Sequence, residues 1–104
     1  MLAIDHTQNN GNAEVHVGDS FQVQLAENPT TGYRWHIKSF GDPALRIIDD
    51  SFAASQGGYG GGGMRHWTFM ADHPAVVPLC FELKRSWEPQ AAEIFKISIG
   101  VTAR

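Results

Sequence analysis

Val77-Pro78-Leu79-Cys80-Phe81-Glu82-Leu83-Lys84 is the stretch that decides the fold class. Successive side chains of an extended chain point to opposite faces, so Val77, Leu79, Phe81 and Leu83 share one face. Pro78, Cys80, Glu82 and Lys84 share the other. A helix would need apolar residues three and four apart, and this alternation does not supply them. The last apolar stretch repeats the pattern: Phe95, Ile97, Ile99 and Val101 alternate with Lys96, Ser98 and Gly100. Burying each inward Leu, Ile or Phe stabilises by ~1.5–3 kcal/mol, so these two strands are expected to form the centre of the core. Pro78 has no N–H to give a ladder, which puts its part of the strand at an edge or a bulge.

The same alternation recurs outward from there. Val15 and Val17 alternate with Glu14 and His16, Phe21 to Leu25 with Gln22 and Gln24, and Trp35 and Ile37 with Arg34, His36 and Lys38. Trp67 and Phe69 flank Thr68, and Leu45 to Ile48 reads as a further short strand. Leu2 and Ile4 make a brief apolar start. Gln8 to Asn12, Gly18-Asp19, Gly41-Asp42-Pro43 and Asp72-His73-Pro74 carry turn chemistry. Ser51 to Gly63 and Arg85 to Ala91 read as longer loops. No stretch shows helical periodicity. About seven short strands separated by turns indicate an all-β, antiparallel sandwich, with residues 1–104 as a single domain. In up-and-down order alternate connections emerge at one end, so the loops at 26–33, 51–63 and 85–91 are expected to project together.

Composition narrows the function classes. The 104 residues are 42% hydrophobic and 18% charged, which suits a globular domain with one core. A net charge of −3, with scattered Lys and Arg, argues against a nucleic-acid partner. No apolar run approaches the ~20 residues that span a bilayer. The opening Met1 to Asp5 lacks the basic and apolar regions of a signal peptide. The expected compartment is periplasmic or secreted if the chain is a mature product, and cytoplasmic otherwise. Cys80 is the only cysteine, so no internal disulfide forms, and its mid-strand place suits a packed side chain rather than a nucleophile. His6, His16, His36, His66 and His73 lack ligand spacing and suit solvated positions. Asp49-Asp50 fits a solvent-facing pair as well as a cation site. No nucleophile and base form a pair, so neither metal, cofactor nor enzymatic activity is expected.

Three loops stand apart. In Asn28-Pro29-Thr30-Thr31-Gly32-Tyr33, Pro29 fixes its own φ and the threonines are stiff at χ1. Gly32 can take positive φ, which lets the chain reverse. Such a preordered bend loses little entropy on binding; the same residues also fit an ordinary turn. Gly57 to Gly63, interrupted by Tyr59, lacks the Gly-Lys-Ser/Thr ending of a phosphate loop. It reads either as a plain linker or as bare backbone that another chain can approach closely. Arg85-Ser86-Trp87-Glu88-Pro89 puts an indole at a loop tip, where it can be a binding anchor or fold back on the sandwich.

Taken in order, Asn28 to Tyr33, then Gly60-Gly61-Gly62-Gly63, then Arg85-Ser86-Trp87 resemble the chagasin-like inhibitors of papain-family cysteine peptidases. The family pattern is NPTTG with an aromatic residue, then GxGG, then RPW or RPF, and the resemblance spans nearly the whole chain. It implies an immunoglobulin-like β-sandwich of seven to eight strands and a reversible, tight-binding inhibitor that is not cleaved. It also implies that the first loop enters the middle of the protease cleft while the glycine and aromatic loops flank it. The expected binding residues are therefore Asn28, Pro29, Thr30, Thr31, Gly32, Tyr33, Gly60, Gly61, Gly62, Gly63, Arg85, Ser86 and Trp87. The expected partner is a papain-like, cathepsin L-like peptidase bound by a monomer. Ser86 departs from the family's Pro and frees one more φ, so slightly weaker binding is expected. The extra glycines let Gly58-Tyr59-Gly60-Gly61 fit the second motif equally well. The rival is an immunoglobulin-like adhesion or ligand-binding module without inhibitory activity. Trp87 packed into the core, or a glycine loop at the opposite end, would favour that rival.

Overall fold

The computed structural model describes residues 2–38, 43–54 and 62–103. Their strands are β1 (Leu2–Ile4), β2 (Gly11–His16), β3 (Ser20–Glu27), β4 (Arg34–Ile37), β5 (Leu45–Ala54), β6 (Gly63–Ala71), β7 (Ala75–Lys84) and β8 (Glu93–Thr102). Two 3-10 turns, His6–Gln8 and Pro29–Thr31, lie between strands. One sheet has the order β1-β3-β6-β5 and the other β2-β8-β7-β4. This is an immunoglobulin-like sandwich.

The inward phases meet as the alternation requires. Val77, Leu79, Phe81, Phe95, Ile97, Ile99 and Val101 are buried, and Leu83 is half-buried against them. Phe21, Val23, Leu25, Trp67 and Phe69 face them from the other sheet. Phe81 is the junction. Its ring centroid lies 4.8 Å from Trp67, 5.9 Å from Phe95 and 6.5 Å from Phe69. Pro78 sits where its chemistry permits. The Lys38 N–H donates to the Cys80 carbonyl at 2.8 Å, so the even-numbered groups of β7 face β4. The last described pair of β4 with β7 is Ile37 with Phe81, so Pro78 lies beyond the described ladder, where the N–H that it lacks is not called on.

The structure revises several sequence expectations. From β3 to β8 the in-sheet pairings are antiparallel, but β1 pairs with β3, and β2 with β8, in parallel. These two N-terminal strands lie in different sheets, and no hairpin fixes their direction. The Asp5 to Gln8 segment carries the chain across, closed by a capping box between Asp5 and Gln8. Gly11 and Asn12, read as turn, begin β2. β5 runs to Ala54 instead of stopping at Ile48. Ser51–Ala54, read as loop, pair with His66 to Gly63. They were illegible because β5 is an exposed edge strand, and the register shift between Ile47 and Asp49 breaks the period. Gly63 likewise belongs to β6. A Cβ on Gly63 would collide with the Ala53 carbonyl, Ala54 Cα and the Phe52 ring, so the close approach of β5 and β6 requires glycine there. Gly41 and Asp42, read as turn residues, lie outside the described residues.

The sheet order is not up-and-down, since the chain changes sheet at every connection from β1 to β5 and again between β6 and β7. The strand ends that flank the three loops nevertheless lie at one end, because strand direction still alternates. Glu27, which ends β3, pairs with Gly63, which opens β6. Arg34, which opens β4, pairs with Lys84, which ends β7.

At the far end, Arg46 and Asp72 form an ion pair of 3.0 Å, and this hydrogen bond holds the Asp72 carboxyl below its ordinary range.

Candidate functional site

The first loop is a hydrogen-bonded object in its own right. The Asn28 Oδ1 accepts from the Thr30 N–H at 3.1 Å and from the Thr30 hydroxyl at 2.6 Å. The Asn28 carbonyl accepts from the Thr31 N–H at 3.2 Å and the Thr31 hydroxyl at 2.8 Å. The Thr31 Oγ1 in turn accepts from the Tyr33 N–H at 3.3 Å. This is an Asx-type bend running into a 3-10 turn, and Asn is the residue that can close it from its own side chain. Gly32 then takes φ +83°, the left-handed conformation that reverses the chain without a Cβ clash. Thr30 and Thr31 are exposed, yet their hydroxyls are engaged within the bend. The tip therefore holds its shape without a partner.

Its far side is anchored by Trp35, which is buried. The indole Nε1 donates to the Ala26 carbonyl at 2.8 Å, and the backbone N–H donates to Glu27 Oε2 at 2.8 Å. Trp35 thus ties the start of β4 to the end of β3.

The third loop is braced to the first by Arg85. Its Nε donates to the Thr31 carbonyl at 3.1 Å. The guanidinium lies 4.4 Å from the Tyr33 ring centroid and 5.8 Å from that of Trp87. It also faces Glu88 at 3.6 Å. Trp87 does not fold into the core: it is 71% exposed. A Cβ on Gly32 would stand 3.5 Å from Trp87 Cη2, so the glycine bend and the indole are neighbours. Ser86 is exposed beside it.

Of the second loop, Gly60 and Gly61 lie outside the described residues. Among the described residues, nothing lies within 4 Å of the place a Gly62 side chain would take. Gly62, Gly63 and Asn28 line one shallow depression, so the base of this loop adjoins the first loop.

A charged cluster under these loops escaped the sequence reading. Glu27 is buried, with a side chain 2% exposed, and Arg65 Nη1 lies 3.5 Å from its carboxylate. Arg65 also makes a forked contact with Asp50, Nε to Oδ1 at 2.6 Å and Nη2 to Oδ2 at 2.9 Å. The Asp50 hydrogen bond raises the Arg65 pKa above its ordinary value. The signal was present. Glu27 continues the inward phase of Phe21, Val23 and Leu25, and Arg65 that of Trp67 and Phe69, and charge on an apolar phase calls for a partner. Asp50 accordingly pairs with Arg65, while Asp49 accepts from the Ser51 hydroxyl at 3.1 Å. Among the described residues, no three His, Cys, Asp or Glu are grouped to hold a metal ion.

This geometry can be compared with known proteins. Residues 14–99 match the model of the chagasin family of peptidase inhibitors, family I42. The chain belongs to that family. None of the curated protein sequences matches it. Among solved structures, the chagasin-family fold seen here is similar to the cysteine protease inhibitor EhICP2 from Entamoeba histolytica, with a TM-score of 0.85 at 17% identity over 96% of this chain and 93% of that one. It is similar to amebosin, with a TM-score of 0.79 at 25% identity over 97% of each chain. PbICP-C, solved in complex with falcipain-2, gives a TM-score of 0.66 at 15% identity over the full length of both. At these identities the likeness to EhICP2 and PbICP-C is one of fold. Asn28 to Tyr33 and Arg85 to Trp87, both inside the matched range, lie on the two loops that Arg85 braces.

Proposed function

We propose that this chagasin-family protein is a reversible, tight-binding inhibitor of papain-like cysteine peptidases, with its three-loop end occluding the active-site cleft. One observation carries the reading. A largely exposed Trp87 is held beside a self-bonded threonine bend by Arg85. An apolar side chain that large, kept in water on a preorganised loop, suits an anchor awaiting a pocket. The 3-10 bend at Pro29–Thr31 does not present an extended peptide to a thiol nucleophile, which is consistent with binding without cleavage. Thr30 and Thr31 are small enough for a narrow cleft, Gly62 leaves its backbone open to approach, and Trp87 offers a flat apolar face. Asn28 to Tyr33, Gly60 to Gly63 and Arg85 to Trp87 form the contact surface in this reading. The chain acts as an inhibitor and not as an enzyme, and a single copy suffices. The family is one of peptidase inhibitors, and the similar folds include a cysteine protease inhibitor and one solved with falcipain-2.

Titrating papain and a cathepsin L-like enzyme against a small peptide substrate tests this. The expected result is competitive inhibition below micromolar concentration, with the inhibitor recovered uncut. Full activity at micromolar inhibitor would overturn it and leave a binding module in its place.

A further inference from the structure

We infer that Arg65 is a positioning residue that couples the bases of the first and second loops by gripping Glu27 and Asp50 at once. The inference rests on the inhibitory reading of this end of the sandwich. Each of the four strands that flank the two loops contributes one member to a single chain of contacts. Asp50 lies in the second half of β5, four residues before its end at Ala54, and Arg65 lies near the start of β6, in the two strands that flank the second loop. Glu27 ends β3 and Trp35 lies at the start of β4, on either side of the first. The chain runs from Asp50 through the fork of Arg65 to Glu27, and from Glu27 to the Trp35 N–H.

The chemistry favours positioning over bulk stability. Glu27 and Arg65 stand on the inward phases of their strands, where apolar residues of similar size would stabilise at least as well. A charged pair at such places costs desolvation, and what it adds is a fixed geometry. Only a guanidinium can do this, since Nε and Nη2 take both oxygens of Asp50 while Nη1 faces Glu27; a lysine ammonium cannot span both. The Arg65 side chain is 20% exposed and its guanidinium lies 5.3 Å from the Trp67 ring centroid, so the core wall itself fixes its position.

Glu27→Gln, Arg65→Lys and Asp50→Asn test it, with inhibition of papain, melting temperature and amide exchange of the free protein as readouts. Glu27→Gln keeps an acceptor for the Trp35 N–H and removes only the charge. We expect each variant to raise the inhibition constant about tenfold, a change of loop preorganisation rather than of contact area. Exchange should quicken at the Thr31, Trp35 and Gly63 amides and stay unchanged along the β7–β8 ladder. A merely structural role would speed all amides together and lower the melting temperature. That pattern, or wild-type inhibition by all three variants, would overturn the inference. If Arg65→Lys does not fold, Asp50→Asn answers the same question from the exposed side. If the wild-type protein fails to inhibit, the inhibitory reading falls, while the exchange pattern still decides whether Arg65 couples the loops.

Discussion

Trp87→Ala is expected to raise the inhibition constant for papain by about 30-fold or more while leaving the fold intact. Truncating a central aromatic anchor typically costs at least ~2 kcal/mol of binding, and each ~1.4 kcal/mol is tenfold. The indole is 71% exposed in the free protein, so its removal takes little from the core. Surface changes of this kind stay within about 0.5 kcal/mol, a few degrees in melting temperature for a domain of this size. The loss should appear mainly as faster dissociation, since related interfaces differ chiefly in that rate. Steady-state inhibition and thermal melting, measured on one preparation, check both halves. Unchanged inhibition would remove Trp87 from the contact surface.

Phe81→Ala should have the largest effect on stability, about 3–5 kcal/mol, because truncating a buried Phe loses transfer energy and leaves a cavity. Phe81 is 0% exposed and contacts Trp67 and Phe69 from one sheet and Phe95 from its own. Edge-to-face packing with Phe69 and Phe95 and the tilted contact with Trp67 are lost as well. A domain of this size has only ~5–15 kcal/mol in total, so the variant should be folded but marginal. Urea denaturation should show a much lower midpoint with an unchanged slope. A loss below about 1 kcal/mol would mean that the two sheets do not pack through this ring.

The fold was legible where one face is buried and the other wet. Phe21 to Leu25, Val77 to Leu83 and Phe95 to Val101 announce their strands by period alone, and the structure buries the phases expected. Legibility failed at the edges. Ser51–Ala54 are exposed and follow a register shift, so no alternation could reveal them. β1 is only three residues long and β2 starts on Gly-Asn, and their parallel pairing depends on partners 19 and 86 positions away, as in Leu2 with Phe21 and Gly11 with Ile97. Local chemistry carries no trace of such distant partners.

The first loop was legible in its backbone logic. Gly32 does take positive φ, and the Pro29–Thr31 bend is preordered. How it is held was not. The sequence marks the threonines as stiff at χ1, and the structure adds that their hydroxyls are spent on the bend itself. Arg85 looked like a contact residue, and within the free protein it is also a brace between loops. Both facts depend on which segments the fold brings together. Glu27 and Arg65 are hard to read from sequence because a single charged residue at the end of an apolar phase resembles the ordinary end of a strand.

The claim that this end of the sandwich enters a thiol-peptidase cleft is tested most directly by amide exchange of the protein free and bound to papain. New protection is expected at residues 28–33, 62–63 and 85–87, with none at the far-end turns around Gly18-Asp19 and His73-Pro74. Protection at those far turns, or spread over a sheet face with residues 28–33 still exchanging freely, would contradict it.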